Sequence, residues 1–349
     1  MNCWNQERYN HSQERVNKGR LVNKLIHKNL RLPAIVFVLT AAMLSMVQIS
    51  FTANPLIILE RFIPGGGWVE IMLVSLYGAI VIFKMQNPAN VPKWRRITWT
   101  IFLFVFFTQL ALGLLVSERF LMTGRLHLPV PAMIISGPLY RGELSVMTIL
   151  FISTVLLTGP AWCSELCYLG AFDNLAAVGK TKKEKIRDKK RLKATFLILV
   201  IGATLILRWT GASPLVSTMM GLIFGLAGIV VMILFSRRQK RMVHCTIFCP
   251  VGTVISLLKP VNPFRLYIDE SCDLCRRCTT WCKYDALNIQ DIRNKKPDYS
   301  CTLCGDCISS CPHSSIRYRF LNVAPEKARN LYLVLTITLH AVFLALARI

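Results

Sequence analysis

The sequence predicts a membrane α-helical protein with six to seven transmembrane helices and a small α+β module near its C-terminal end. Three observations carry this expectation. Hydrophobic residues make up 53% of the 349 positions, more than ordinary soluble domains of that length carry. Apolar runs long enough to cross a bilayer recur along the chain. Eight of the thirteen cysteines fall within residues 272–311, in two runs of the same spacing. The expected division is a basic amphipathic segment at 1–31, a transmembrane domain of six helices at 32–261, the cysteine-rich module at 262–323 and a last span at 324–349.

The N-terminal segment carries Arg15, Lys18, Arg20, Lys24, Lys28 and Arg31, interleaved with Leu21, Val22, Leu25, Ile26 and Leu30 at helical spacing. It reads as a short helix lying on an anionic leaflet, or as a solvated tail that fixes topology. The apolar run at 32–59 is too long, and its lead-in too extended, for a secretory signal, so it reads as an uncleaved span. A turn at Pro64 and Gly65 precedes a second span at 68–83, and Lys93, Arg95 and Arg96 precede a third at 97–116. Residues 117–143 are polar, and Pro129, Pro131 and Pro138 are expected to prevent a regular helix there. The uncharged middle, 128–135, is an external loop or the wall of a quinone pocket or partner surface.

A fourth span at 144–161 leads to Cys163-x3-Cys167, and nine basic residues follow between Lys180 and Lys193. A fifth at 195–209 and a sixth at 215–235 are joined by a turn ending at Pro214. Arg237, Arg238, Lys240 and Arg241 then precede Cys245-x3-Cys249-Pro250. A short seventh run at 331–346 contains His340, a lone histidine and thus a weak sign of haem.

The net charge of +24 would suggest nucleic acid in a soluble protein. Here the cations flank apolar runs, as orientation and anionic lipid require, and no phosphate-binding glycine loop is present. Nucleic acid is therefore excluded as a partner and membrane lipid expected. The richest loops alternate along the chain, which puts the N-terminus and all twelve clustered cysteines on the cytoplasmic side of the inner membrane, and the C-terminus outside if the seventh run crosses. Thiolate ligands need that reducing side. Cys3 stands apart from the clustered twelve.

The first run reads Cys272-x2-Cys275-x2-Cys278-x3-Cys282 and the second Cys301-x2-Cys304-x2-Cys307-x3-Cys311-Pro312; a shift of about 29 positions superposes them. Structural zinc favours separated pairs of ligands, whereas three cysteines two apart and a fourth beyond suit [4Fe–4S] clusters. Two-cluster ferredoxins exchange the fourth ligand between halves. On that pattern Cys272, Cys275, Cys278 and Cys311 hold one cluster and Cys301, Cys304, Cys307 and Cys282 the other, in a ferredoxin-like domain. Lys283 stands where the pattern expects a proline. Arg276, Arg277 and Lys283 add positive charge that favours reduction nearby, or else form a solvated surface.

Cys163-x3-Cys167-x2-Gly170 and Cys245-x3-Cys249-x2-Gly252 match at an offset of about 82. If helical, cysteines four apart share one face, and two facing pairs offer four thiolates. A further cluster, a soft metal and dithiol cycling all remain open for this set, with plain packing as the bland alternative. Pro250 fits best at a helix start.

Several spans, two Cys-x3-Cys motifs at helix ends and a C-terminal eight-cysteine module together resemble the membrane polyferredoxins of the NapH type, best over residues 144–319. Tyr168 replaces the family's usual proline after the first motif, and Pro250 keeps it after the second. The resemblance implies a membrane-bound electron-transfer protein, an electron-carrier component of a quinol dehydrogenase. It would work between the quinone pool or a cytoplasmic donor, for example an acidic electron carrier, and a membrane or periplasmic redox partner such as a reductase or cytochrome. The alternatives are a metal-centre assembly factor, for example one reducing copper for an oxidase, and a redox sensor.

Overall fold

The computed structural model describes residues 30–121, 129–144, 146–179 and 186–346; the basic segment read at 1–31 lies almost wholly outside them. Helix α1 (Leu30–Ser50) ends earlier than its apolar run, because Asn54-Pro55 turns the chain before the short α2 (Ile58–Phe62). Gly65 sits at φ 81° and opens α3 (Gly66–Met85). The Glu60 carboxylate accepts from the backbone N–H of Gly65 and Gly67 at 3.0 and 2.9 Å, placing negative charge on a helix N-terminus. A tight turn at Pro88–Asn90 leads into α4 (Val91–Leu115), with proline in its first turn.

The segment expected to be irregular contains α5 (Met133–Arg141), with Pro138 inside it. A proline removes the hydrogen bond to the carbonyl four residues back. That carbonyl, of Ile134, instead accepts from Thr148 Oγ1 at 3.3 Å, which is why the helix tolerates the ring. The fourth predicted span is only α6 (Val146–Thr158), one of the shorter apolar helices, about 20 Å long. The chain then forms a π-helical turn at Trp162–Leu166 and α7 (Tyr168–Ala176). Next come α8 (Lys189–Trp209) and α9 (Pro214–Val231), which runs through a second π turn, Met232–Ser236, into α10 (Arg237–Gln239). A third π turn at His244–Phe248 precedes α11 (Pro250–Leu258).

Strand β1 (Phe264–Ile268), the short helices α12 (Ile289–Arg293) and α13 (Asp306–Ser309), and strand β2 (Ile316–Phe320) form the cysteine-rich module. The strands pair antiparallel, from Phe264 opposite Phe320 to Ile268 opposite Ile316, and bury alternate residues, as a two-faced ribbon does. The last helix, α14 (Pro325–Leu346), is the most enclosed of the six helices that, among the described residues, are long and apolar enough to cross a membrane. Its apolar run is among the shortest in the sequence, yet it packs on α1 and α3 through Val36, Val81, Ile82, Leu333 and Ile337 at one end and Leu44, Ile71, Val342 and Ala345 at the other.

Helix ends sort into two levels. At the level of the cysteine-rich module, Arg329 of α14 donates to the Met85 and Gln86 carbonyls at 2.7 and 2.9 Å, and Asn262 donates to Leu156 of α6 at 2.9 Å. At the opposite level, Arg61 reaches the Arg119 carbonyl at 3.0 Å and Tyr140 of α5 the Ala212 carbonyl after α8 at 2.5 Å.

Buried charges join module to membrane helices. Arg95 of α4 forms a two-pronged pair with Asp306, Nε–Oδ1 at 3.0 Å and Nη2–Oδ2 at 2.5 Å. Lys189 of α8 bonds Asp298 at 2.9 Å and the Asp285 carbonyl at 2.7 Å, and Arg241 pairs with Asp285 at 2.8 Å. All three cations are buried. Removing one partner from such a pair strands a buried charge and typically costs about 3–5 kcal/mol, whereas replacing both partners with apolar residues restores much of the loss. Arg95→Met is therefore expected to lower thermal stability in detergent sharply, and Arg95→Met with Asp306→Leu to recover part of it, as read by intrinsic tryptophan fluorescence on heating.

Candidate iron–sulfur sites

The two cysteine runs fold as copies of each other. Leu274 and Leu303 both sit at φ 61°, Arg276 and Gly305 at 59° and 80°, and Asp285 and Ser314 at 52° and 50°. Each pair is separated by the shift that superposes the cysteines. These left-handed residues fold the backbone back between successive thiols, a conformation that costs side-chain-bearing residues energy and persists where the surroundings fix it. The copies also place N–H donors on the fourth sulfur of each run: Ala286 on Cys282 at 3.2 Å and Ser315 on Cys311 at 3.4 Å.

The fourth cysteines cross over. Cys272, Cys275, Cys278 and Cys311 line one cavity of about 10 Å³, walled by Ile268, Ile292 and Ile316. Burial, then the Cys311, Cys272 and Cys275 thiolates, push Cys278 up to about 12. Cys307 is held far above the ordinary thiol range by burial and then by Cys304, Cys282 and Cys301. Free thiolates so placed repel one another, and a cationic inorganic core relieves that repulsion. Of these eight, Cys275 is exposed while Cys278 and Cys307 are buried.

The Cys-x3-Cys pairs do not lie on α-helical faces. Each first cysteine sits in a π turn, each second cysteine is extended (Cys167 φ −91°, ψ 117°; Cys249 φ −74°, ψ 119°), and a new helix starts at the next residue. Pro250 therefore occupies the first position of α11, where its missing N–H costs nothing. Tyr168 occupies the same position in α7 and stacks on Phe106 with centroids 3.8 Å apart. The shared glycine has a physical reason. A Cβ on Gly170 would lie 2.9 Å from the Cys163 carbonyl oxygen, and one on Gly252 would lie 2.7 Å from that of Cys245.

The structure brings the two pairs together. Cys163, Cys249 and Cys167 share one apolar cluster with Trp162 and Ile255, and burial followed by the Cys249 thiolate pushes Cys167 up to about 12. Each backbone is tethered from outside its own motif or by the following helix. Trp99 Nε1 donates to the Cys167 carbonyl at 2.8 Å and Tyr284 OH to that of Cys163 at 2.8 Å. Cys245 N–H donates to Asp173 at 3.0 Å, and Thr253 Oγ1 donates to the Cys249 carbonyl at 3.4 Å. Asp173 is itself pushed up to about 6 by burial, against bonds from Ser236 and Cys245.

Tyr284 also joins this set to the module, since it packs in one cluster with Cys245 and Cys304. A second cavity of about 10 Å³ lies between the sets, lined by Cys163, Cys245 and Cys301. Thr246 and Thr302 also line it, and their buried hydroxyls have no hydrogen-bond partner among the described residues, so it suits one water. Among the described residues no cysteine is in a disulfide. Among the described residues no three Cys, His, Asp or Glu side chains converge closely enough for a single metal ion.

Lys283 is not a solvated surface cation: it donates to the carbonyls of Ala177 at 2.8 Å, Lys240 at 3.1 Å and Gly179, closing the end of α7. Burial, then the neighbouring Arg96, pushes it down to about 8. Arg276 and Arg277 are exposed. His340 is fully engaged, with Nε2 3.0 Å from Tyr77 OH and Nδ1 2.9 Å from the Glu165 carbonyl. Both ring nitrogens are thus committed to hydrogen bonds. Tyr284, Asp173 and Trp99 carried no recognisable signal in the sequence, because their partners are far away along the chain.

The glycine contacts yield a direct check. Gly252→Ala should push the Cys245 backbone aside and raise maleimide labelling of the Cys-x3-Cys thiols. Gly202→Ala, with nothing within 4 Å of its added Cβ, should leave labelling unchanged.

A family described as a 4Fe-4S binding domain matches residues 142–186 and 218–262, the two stretches that carry the Cys-x3-Cys motifs. The chain is similar to the methylamine utilization ferredoxin-type protein MauN of Paracoccus denitrificans (strain Pd 1222), at 27% identity over 141 residues, covering 37% of this chain. The chain spans half the length of that relative. No solved structure matches. These likenesses support a membrane iron–sulfur electron-transfer role. With the six apolar helices, they fit a membrane polyferredoxin of the NapH/MauN type.

Proposed function

We propose that the chain is a membrane-anchored relay for single electrons, with three iron–sulfur sites in a row. Cys272, Cys275, Cys278 and Cys311 would hold one [4Fe–4S] cluster, Cys301, Cys304, Cys307 and Cys282 a second, and Cys163, Cys167, Cys245 and Cys249 a third. Such clusters, when bound, supply one-electron chemistry. The observation that carries the proposal is the shared packing of Cys245, Tyr284 and Cys304, which sets the membrane-level thiols against one half of the module. The other half ends at exposed Cys275. The protein's own contribution is to hold the thiols, wall them with apolar side chains and fix their backbones through Trp99, Tyr284 and Asp173.

In this proposal residues 262–323 bear the first two clusters, and the spans of 32–261, which carry the third, and of 324–349 anchor them in the cytoplasmic membrane. The flanking cations support an orientation with every clustered cysteine on the cytoplasmic side. Electrons pass between the quinone pool or an acidic cytoplasmic carrier at one end and a membrane or periplasmic redox partner at the other. Quinone itself would bind at the membrane level.

Anaerobically purified protein should contain about twelve irons per chain and give reducible cluster signals by paramagnetic resonance. Replacing Cys163, Cys167, Cys245 and Cys249 with serine should leave about eight. Eight irons in both proteins, with one zinc or copper bound only by the unsubstituted chain, would transfer the Cys-x3-Cys set to metal-centre assembly. A chain without iron would sink the proposal.

A further inference from the structure

We propose that the cleft between the end of α11 and the outer face of the β1–β2 ribbon binds the phosphate of one anionic phospholipid. The cleft is a cavity of about 780 Å³, by far the larger of the cavities described here. Lys259, Arg265, Lys295, Lys296 and Arg319 line it, and no carboxylate does. Lys295 pairs with Glu270 at 3.2 Å. Among the described residues Lys259 and Arg265 reach only backbone carbonyls, at Asp298 and at Asn262, Phe264 and Pro260. Among the described residues no ion pair to Lys296 or Arg319 is formed.

The register of the ribbon supplies a second, independent reason. Arg265 stands directly opposite Arg319 in the ladder. Like charges in opposed positions destabilise a strand pair, and an anion seated between the two guanidinium groups reverses the sign of that interaction. Guanidinium forks suit phosphate oxygens, and the lysines add less directional charge.

The position of the cleft selects a lipid over a soluble partner. Ser256, on its wall, accepts from Lys193 in the first turns of α8 at 2.8 Å. Asn262, beside Pro263 of the wall, is bonded to the end of α6. Leu321, at its rim, lies four residues before α14 begins. The cleft is thus level with the ends of three helices that enter the apolar layer. Leu257, Val261 and Leu321 beside it are 67%, 66% and 64% exposed, apolar surface suited to acyl chains next to a bound headgroup. Cys301 also lines the cleft, so the occupant would cover one thiol of the second set.

Full-length protein in detergent, titrated with phosphatidylglycerol or phosphatidylethanolamine, can be read by native mass spectrometry. The expected result is one retained phosphatidylglycerol per chain, preferred about tenfold or more over the zwitterionic lipid. Lys259→Gln, Lys296→Gln and Arg319→Gln together should abolish that preference, while Arg237→Gln with Arg238→Gln, two exposed cations elsewhere, should keep it. Phosphatidylglycerol should raise the melting temperature of delipidated wild type but not that of the triple variant, which separates lost binding from lost folding. Wild-type retention by the triple variant would overturn the proposal. So would displacement of the lipid by inorganic phosphate, which would make the ligand a free anion. Unchanged lipid retention with slowed reduction by an acidic soluble carrier would assign the cleft to protein docking instead.

Discussion

The cysteine-rich module stays in register with the membrane helices because charged side chains cross the boundary and cannot be withdrawn singly. Arg95 reaches Asp306, one residue before Cys307, while Lys189 and Arg241 converge on Asp285, three residues after Cys282. A buried ion pair contributes little net stability, because desolvation consumes most of the attraction. It does penalise every arrangement in which the partners are apart. The pairs thus act less as glue than as locating pins: they fix where the second cysteine set sits relative to the π turns, while apolar packing supplies the driving force.

The same boundary explains what could be read from the sequence. Hydrophobic runs and the cysteine repeat are local patterns, so six long apolar helices and a ferredoxin-like module were legible before any coordinates. What failed depended on distant partners. Pro138 argued for irregular chain, and nothing local says that Thr148 will occupy the Ile134 carbonyl it strands. Lys189 looked like one of nine cations setting topology, yet its ammonium is enclosed by Asp285, Asp298 and Ser300. The final helix looked marginal by length because its first turns are polar; Arg329 in those turns anchors it to the end of α3.

The Cys-x3-Cys motifs were half legible. Their matched spacing and shared glycine marked them as a pair, and Pro250 marked a helix start. The π turn was hidden, since a periodic α-helix would also have put cysteines four apart on one side. π turns recur at functional sites because an extra residue per turn redirects side chains without ending the helix. At the two motifs the π turn leads one cysteine into an extended linker that ends at a fresh helix N-terminus, so the two thiol pairs are brought together from two stretches of chain that match the same family model.

The shortness of α6 has a consequence for how the apolar layer is walled. About 20 Å of helix is set against a hydrocarbon layer of about 30 Å, and α5, kept helical around Pro138, makes up the remainder beside α8. The wall that leads to Cys163 is therefore built from two short helices where the rest of the bundle uses single long ones, and its seam lies where Thr148 meets the Ile134 carbonyl.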